Sequence, residues 1–150
     1  MDYFSAAEWG RTFILRLDRG DYVLESIIEL INKENIKDAV VVSGIGSLDE
    51  CVIHMVTNTE TPYQEYFKRW SNQPLELASV SGLIINGQPH LHTVVSDTES
   101  ACAGHLEKGC RILCLGEIVI TEMKALNLAR IPDGKTGVSI LTSNQAPSNN

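Results

Sequence analysis

The chain has 150 residues, 43% of them hydrophobic and 21% charged, with a formal net charge of −7 at pH 7. That length suits one domain with a substantial core, and twelve Lys and Arg in an acidic chain argue against a duplex-binding protein, which needs clustered base to neutralise phosphates. No apolar stretch approaches the roughly eighteen residues of a spanning helix, and Met1-Asp2-Tyr3-Phe4-Ser5 lacks the basic and apolar regions of an export signal, so the expectation is a cytoplasmic protein without a membrane partner.

Residues 1–10 read as a lead-in. From Arg11 to Leu17 the chain alternates, with Phe13, Leu15 and Leu17 on one face and Thr12, Ile14 and Arg16 on the other, which predicts a half-buried strand. Asp18-Arg19-Gly20-Asp21 turns it, and Asp21 is placed to cap a helix over 22–34. Leu24, Ile27, Ile28 and Ile31 fall at helical spacing with Glu25, Glu29 and Asn32 outside, and Asn35 is a left-handed stop. Ala39-Val40-Val41-Val42 predicts a strand buried on both faces. Gly44-Ile45-Gly46-Ser47 lacks the third glycine of a nucleotide-binding loop and leads into a strand, Glu50–Val56, so it reads as a bend between strands. His54 in that strand fits a solvent-facing or hydrogen-bonded histidine better than a ligand.

Thr57 to Pro74 is the least regular part. It gathers Tyr63, Tyr66, Phe67 and Trp70, four of nine aromatics, and predicts a loop packed down on the core. Leu75 to Ile85 is a strand, Asn86-Gly87 a two-residue hairpin turn and His90–Ser96 the returning strand. Asp97 to Ala103 reads as a loop. Ile112 to Glu122 is a strand with Gly116 at a bulge or close approach. Pro132–Gly137 is a turn, Val138–Leu141 a last strand, and 142–150 a flexible polar tail beyond a core of about 11–141. Seven or eight clustered strands and one main helix define an α+β fold with a largely antiparallel sheet.

Without an export signal, Cys51, Cys102, Cys110 and Cys114 are expected to be reduced. Cys110 and Cys114 could pair on a soft metal, but in a strand they read as small buried hydrophobes.

Chemistry concentrates between Gly87 and His105. On a strand, His90 and His92 point to the same face. Alone, such a pair is usually two solvent-facing polar residues. His105 follows a glycine, whose backbone freedom can return a distant loop to that strand. Three neutral imidazoles then form a shell of catalytic type for zinc or another divalent transition metal, with one position open.

The segments Ala39-Val40-Val41-Val42-Ser43-Gly44-Ile45-Gly46-Ser47, Leu77-Ala78-Ser79-Val80-Ser81-Gly82, Pro89-His90-Leu91-His92 and Gly104-His105-Leu106-Glu107-Lys108-Gly109, in that order, resemble the PPC domain of plants and prokaryotes. The likeness runs from about Arg11 to Leu141. It implies a compact α+β homotrimer with a zinc-type site, and the positions matching that site are His90, His92 and His105. Plant members carry the domain behind an AT-hook, but no Arg-Gly-Arg-Pro segment occurs here. Their partner-binding Gly-Arg-Phe-Glu-Ile-Leu segment stands here as Gln73-Pro74-Leu75-Glu76-Leu77-Ala78, with only Glu76 identical, so the plant partners do not carry over. A DNA-binding label would rest on those plant relatives.

Two functions follow as expectations. One is a trimeric metal-binding module that binds or regulates. The other is a metal-dependent hydrolase or lyase acting on a small molecule at the open position, where a metal lowers the pKa of bound water to about 7. An enzyme also needs a general base. Ser96, Asp97, Glu99 and Glu107 are near in sequence, and Glu107, two residues past His105, is the first choice.

Overall fold

In the computed structural model, which describes residues 1–144, the chain forms eight strands and one helix. In chain order they are β1 (Glu8–Asp18), α1 (Val23–Glu34), β2 (Ala39–Val56), β3 (Glu65–Ile85), β4 (Gln88–Ser96), β5 (Ala101–Leu106), β6 (Arg111–Lys124), β7 (Leu128–Pro132) and β8 (Ser139–Ser143). Strands hold 62% of the described residues and the helix 8%, so the sheet dominates the α+β pattern.

Every strand pairing is antiparallel. Six strands run in the order β1-β6-β2-β3-β4-β5, and β5 pairs again with β2. The strands β2, β3, β4 and β5 therefore close into a ring. The β5–β2 pairing at His105 and Leu106 covers the end of the β5 edge, which shortens a template for unwanted pairing. The β7–β8 ribbon is separate.

Helix α1 turns Val23, Ile27 and Ile31 into the core beside Leu17, Ile112, Ile118 and Ile120. It stops at Asn35, which adopts the left-handed conformation (φ 52°, ψ 44°). Asp21 does not cap it. The N-cap is Tyr22, without a side-chain hydrogen bond, while Asp21 Oδ2 accepts from the Asp18 amide at 2.8 Å and closes the preceding turn. The Asp21 carbonyl accepts from Ile112 at 2.8 Å, so main-chain bonds to β6 fix the start of the helix.

Several boundaries move because pairing overrides local composition. The lead-in is shorter than 1–10, since Glu8 already pairs with Lys124. The Gly44-Ile45-Gly46 segment is no bend between strands: it runs inside β2, with Gly46 opposite Leu77 on one side and Gly116 on the other. The aromatic segment is largely strand. Tyr66, Phe67 and Trp70 lie on β3 opposite Met55, His54 and Cys51. Trp70 packs on the core, whereas Tyr66 and Phe67 are exposed. Ala101–Ala103 belongs to β5, and Leu128–Pro132 forms a further strand, β7, ahead of the last one. Thr142 and Ser143 end β8 instead of opening a tail, and 145–150 lie outside the described residues. All four cysteines are free. Cys110 is buried with its Sγ 3.6 Å from Cys51 Sγ, but Cys114 is exposed and is not a core thiol. Among the described residues no helix is long and apolar enough to cross a membrane.

Candidate metal centre

The hairpin carrying the first two histidines is built as its sequence demands. Asn86 and Gly87 take φ of 48° and 75°, values that suit a two-residue turn joining twisted strands and that glycine reaches without strain. The buried Asp38 holds the turn from outside, its Oδ1 accepting from the Asn86 amide at 3.0 Å. The turn sets the register, with Leu83 opposite His90 and Ser81 opposite His92. Leu91, Thr93 and Val95 face inward and are buried, and the Thr93 hydroxyl donates to the Ser79 carbonyl at 2.7 Å. His90 and His92 consequently stand together on the outer face.

His105 reaches them from a strand and not from a loop. It lies on β5, paired with His92 on one side and with His54 on the other. Gly104 makes that contact possible. A Cβ on it would lie 2.6 Å from the His54 carbonyl oxygen, so any side chain would push β5 off β2. One cross-strand row results: Phe67, His54, His105, His92 and Ser81, running round the ring from β3 back to β3.

Ring centroids lie 5.6 Å apart for His90 and His92, 4.9 Å for His90 and His105, and 5.5 Å for His92 and His105. One ring nitrogen from each of the three falls within 4.8 Å of the others, a spacing that a single ion can bridge. Burial pushes the His90 pKa down to about 4, helped by the charge of Arg130 and by the other histidines. Burial, then His54, also lowers that of His105. Both imidazoles are thus neutral at pH 7, the form that offers a lone pair to a metal.

A second group sits beside the first and shares His105. His54 Nδ1 is 2.7 Å from Glu107 Oε1, and the same oxygen is 3.9 Å from His105 Nε2. His54, His105 and Glu107 also form a set with ligand atoms within 4.8 Å. His54 is therefore a hydrogen-bonded strand histidine, and its ring lies 4.6 Å from that of His105 and 5.2 Å from Phe67. The remaining carboxylate candidates are occupied elsewhere. Asp97 Oδ1 accepts from the amides of Glu99 and Ser100, both at 2.8 Å, and closes its own turn, on which Glu99 is exposed. Ser96 pairs with Glu76 and Ala101 at the far end of β4. Sequence reasoning missed the His54–Glu107 pair and the Arg130 charge because both arise from pairing and packing of distant segments.

Residues 4–124 match the sequence profile of the Plants and Prokaryotes Conserved domain. A metal-containing protein of Archaeoglobus fulgidus superposes with a TM-score of 0.79 at 25% identity, covering 95% of this chain and all of that one. A plant- and prokaryote-conserved protein of Pyrococcus horikoshii gives 0.76 at 25% identity, covering 97% and 100%. A Ralstonia eutropha protein whose name gives DNA binding only provisionally reaches 0.69 at 25% identity over 86% of this chain and 89% of its own. Among curated proteins, the bifunctional protein GlmU of a Synechococcus strain is 28% identical over 128 residues, 85% of this chain. The chain spans about a fifth of the length of the curated relatives it matches, 20% and 19%.

Proposed function

Because the chain belongs to the Plants and Prokaryotes Conserved domain family, we propose that it is a homotrimeric metal-binding module, with His90, His92 and His105 holding one zinc or similar divalent ion. The observation that carries this reading is the convergence of three imidazoles from two paired strands. The donor set fits such an ion: three imidazole nitrogens, a ligand type that zinc and similar divalent metals share. The metal-containing relative from Archaeoglobus supports it. Trimer formation finds support in the apolar surface left on the outer face of β1, β2 and β6, where Ile14, Val42, Ile45 and Leu115 are 78%, 60%, 50% and 44% exposed. Binding or regulation is the output favoured, and direct DNA binding is not.

A second reading, a metal-dependent hydrolase or lyase, is favoured by one specific observation. Glu107 is held by His54 with a carboxylate oxygen 3.9 Å from His105 Nε2, the position of a group that takes a proton from a bound small molecule. The ion would supply Lewis acidity. Substituting His92→Ala and measuring metal content tests the metal centre. Glu107→Gln separates the two readings, since a binding module keeps ligand affinity and an enzyme loses turnover.

A further inference from the structure

Beside the histidine cluster the outer face of the sheet turns apolar. Leu83 and Ile85 lie two residues apart on β3, so their side chains leave the same face. Strand register fixes which face that is. Leu83 stands directly opposite His90 and Ile85 opposite Gln88, and facing residues of antiparallel strands hold their Cβ atoms about 4.5–5.5 Å apart. Leu83 is therefore an immediate neighbour of His90. The β7–β8 ribbon, which pairs with no strand of the main sheet, brings Leu128 and Leu141 to Leu83 and Ile85. Tyr3 and Phe4 supply a further wall, and their segment is tied to the sheet by the Ala7 amide, which donates to the Lys124 carbonyl at 3.2 Å. Together these side chains leave a groove of about 460 Å³, a size within the range of small-molecule sites. Ile85 and Leu128 are buried in it, and Asp2 is the one charged residue lining it among the described residues.

We propose that this groove and the three-histidine centre form one site for a short aliphatic carboxylate, whose head reaches the metal while its hydrocarbon tail lies along Leu83 towards Ile85 and Leu128. This inference rests on the metal reading above and gives it a ligand class. The groove suits an apolar chain, but its lining offers no cation to an anionic head, and Asp2 repels one. The histidines supply what the groove lacks, because a divalent ion with three protein ligands takes a fourth from outside. Glu107, 3.9 Å from His105 Nε2, occupies the opposite flank and keeps an anionic head to the His90 side. Leu83 joins the two halves, so one molecule with an oxygen head and an apolar tail satisfies both. Each methylene the groove withdraws from water is worth about four-fold in affinity.

The test uses the full chain loaded with cobalt(II), whose visible absorption reports a ligand entering the open position. Acetate and hexanoate are titrated separately at constant ionic strength, since they share a head and differ only in the tail. The expected result is a saturable spectral change with both and at least about ten-fold tighter binding of hexanoate. Leu141→Gln should remove that advantage while acetate affinity and cobalt content stay unchanged. Equal affinity for the two acids in the unaltered protein, an undiminished preference in the variant, or no response to either acid overturns the inference while leaving the metal centre standing. So does calorimetry in which hexanoate binds as tightly without metal as with it, because the head then makes no use of the ion. Failure to bind cobalt at all removes both. Should Leu141→Gln not fold, Leu126→Gln, in the connection between β6 and β7, takes its place under the same criteria.

Discussion

At the scale of single residues, the centre depends on three imidazoles that sequence spacing and strand pairing bring to one face. Replacing His92 by Ala leaves two ligands, and two hold a divalent ion far less tightly than three. The expected outcome is loss of stoichiometric metal with an intact fold, because His92 is exposed and its removal opens no cavity. The low pKa of His90 has its own consequence for the metal-free protein. Between its ordinary value of about 6.5 and the folded value of about 4, the unfolded chain takes a proton that the folded protein refuses. This contribution is complete above 6.5 and is lost as pH falls through 4. Thermal midpoints of metal-free protein across that window should therefore fall less steeply in His90→Asn than in the unaltered chain. Identical slopes would show that His90 is not held neutral by the fold.

At the scale of elements, the hairpin and the β5–β2 contact hold the centre in shape. A methyl at Gly104 meets the His54 carbonyl, so Gly104→Ala should cost about 1–3 kcal/mol and weaken metal binding by shifting His105. Denaturant unfolding with a metal titration checks both effects. Stability and affinity equal to those of the unaltered protein would mean that β5 tolerates displacement. Asp38→Ala removes the acceptor of the Asn86 amide and should cost about 1–2 kcal/mol. These elements also show what could be read beforehand. Period-two alternation put His90 and His92 on one face, Asn86-Gly87 marked the hairpin, and Asn35 marked the end of α1; each signal is local. The partners of His105 were not legible, because the register of β5 against β4 and β2 is set by contacts far apart in sequence. For the same reason Gly44-Ile45-Gly46 read as a bend although β3 and β6 hold it straight, and Tyr66 and Phe67 read as loop although β2 pairs with them. Asp21 looked like a cap until the main-chain bond to Ile112 fixed the helix start without it.

At the scale of the molecule, charge and assembly bear on the proposed function. A chain of net charge −7 is repelled by a polyanion, increasingly so at low salt. Its adjacent basic pair Lys68-Arg69 is far smaller than a duplex footprint. Mobility shift at low salt should give no discrete band at submicromolar protein; a band that resists competitor DNA would restore a DNA-binding role. The exposed apolar residues of β1, β2 and β6 lead us to expect a trimer in solution, with a mass by light scattering three times the chain's 16.5 kDa. The central claim, a metal held by His90, His92 and His105, is tested most directly by elemental analysis of protein purified without a histidine tag, alongside its His92→Ala variant. About one transition-metal ion per chain in the first and almost none in the second is the predicted result. Full metal content in the variant, or none in the unaltered protein after exposure to zinc, would contradict it.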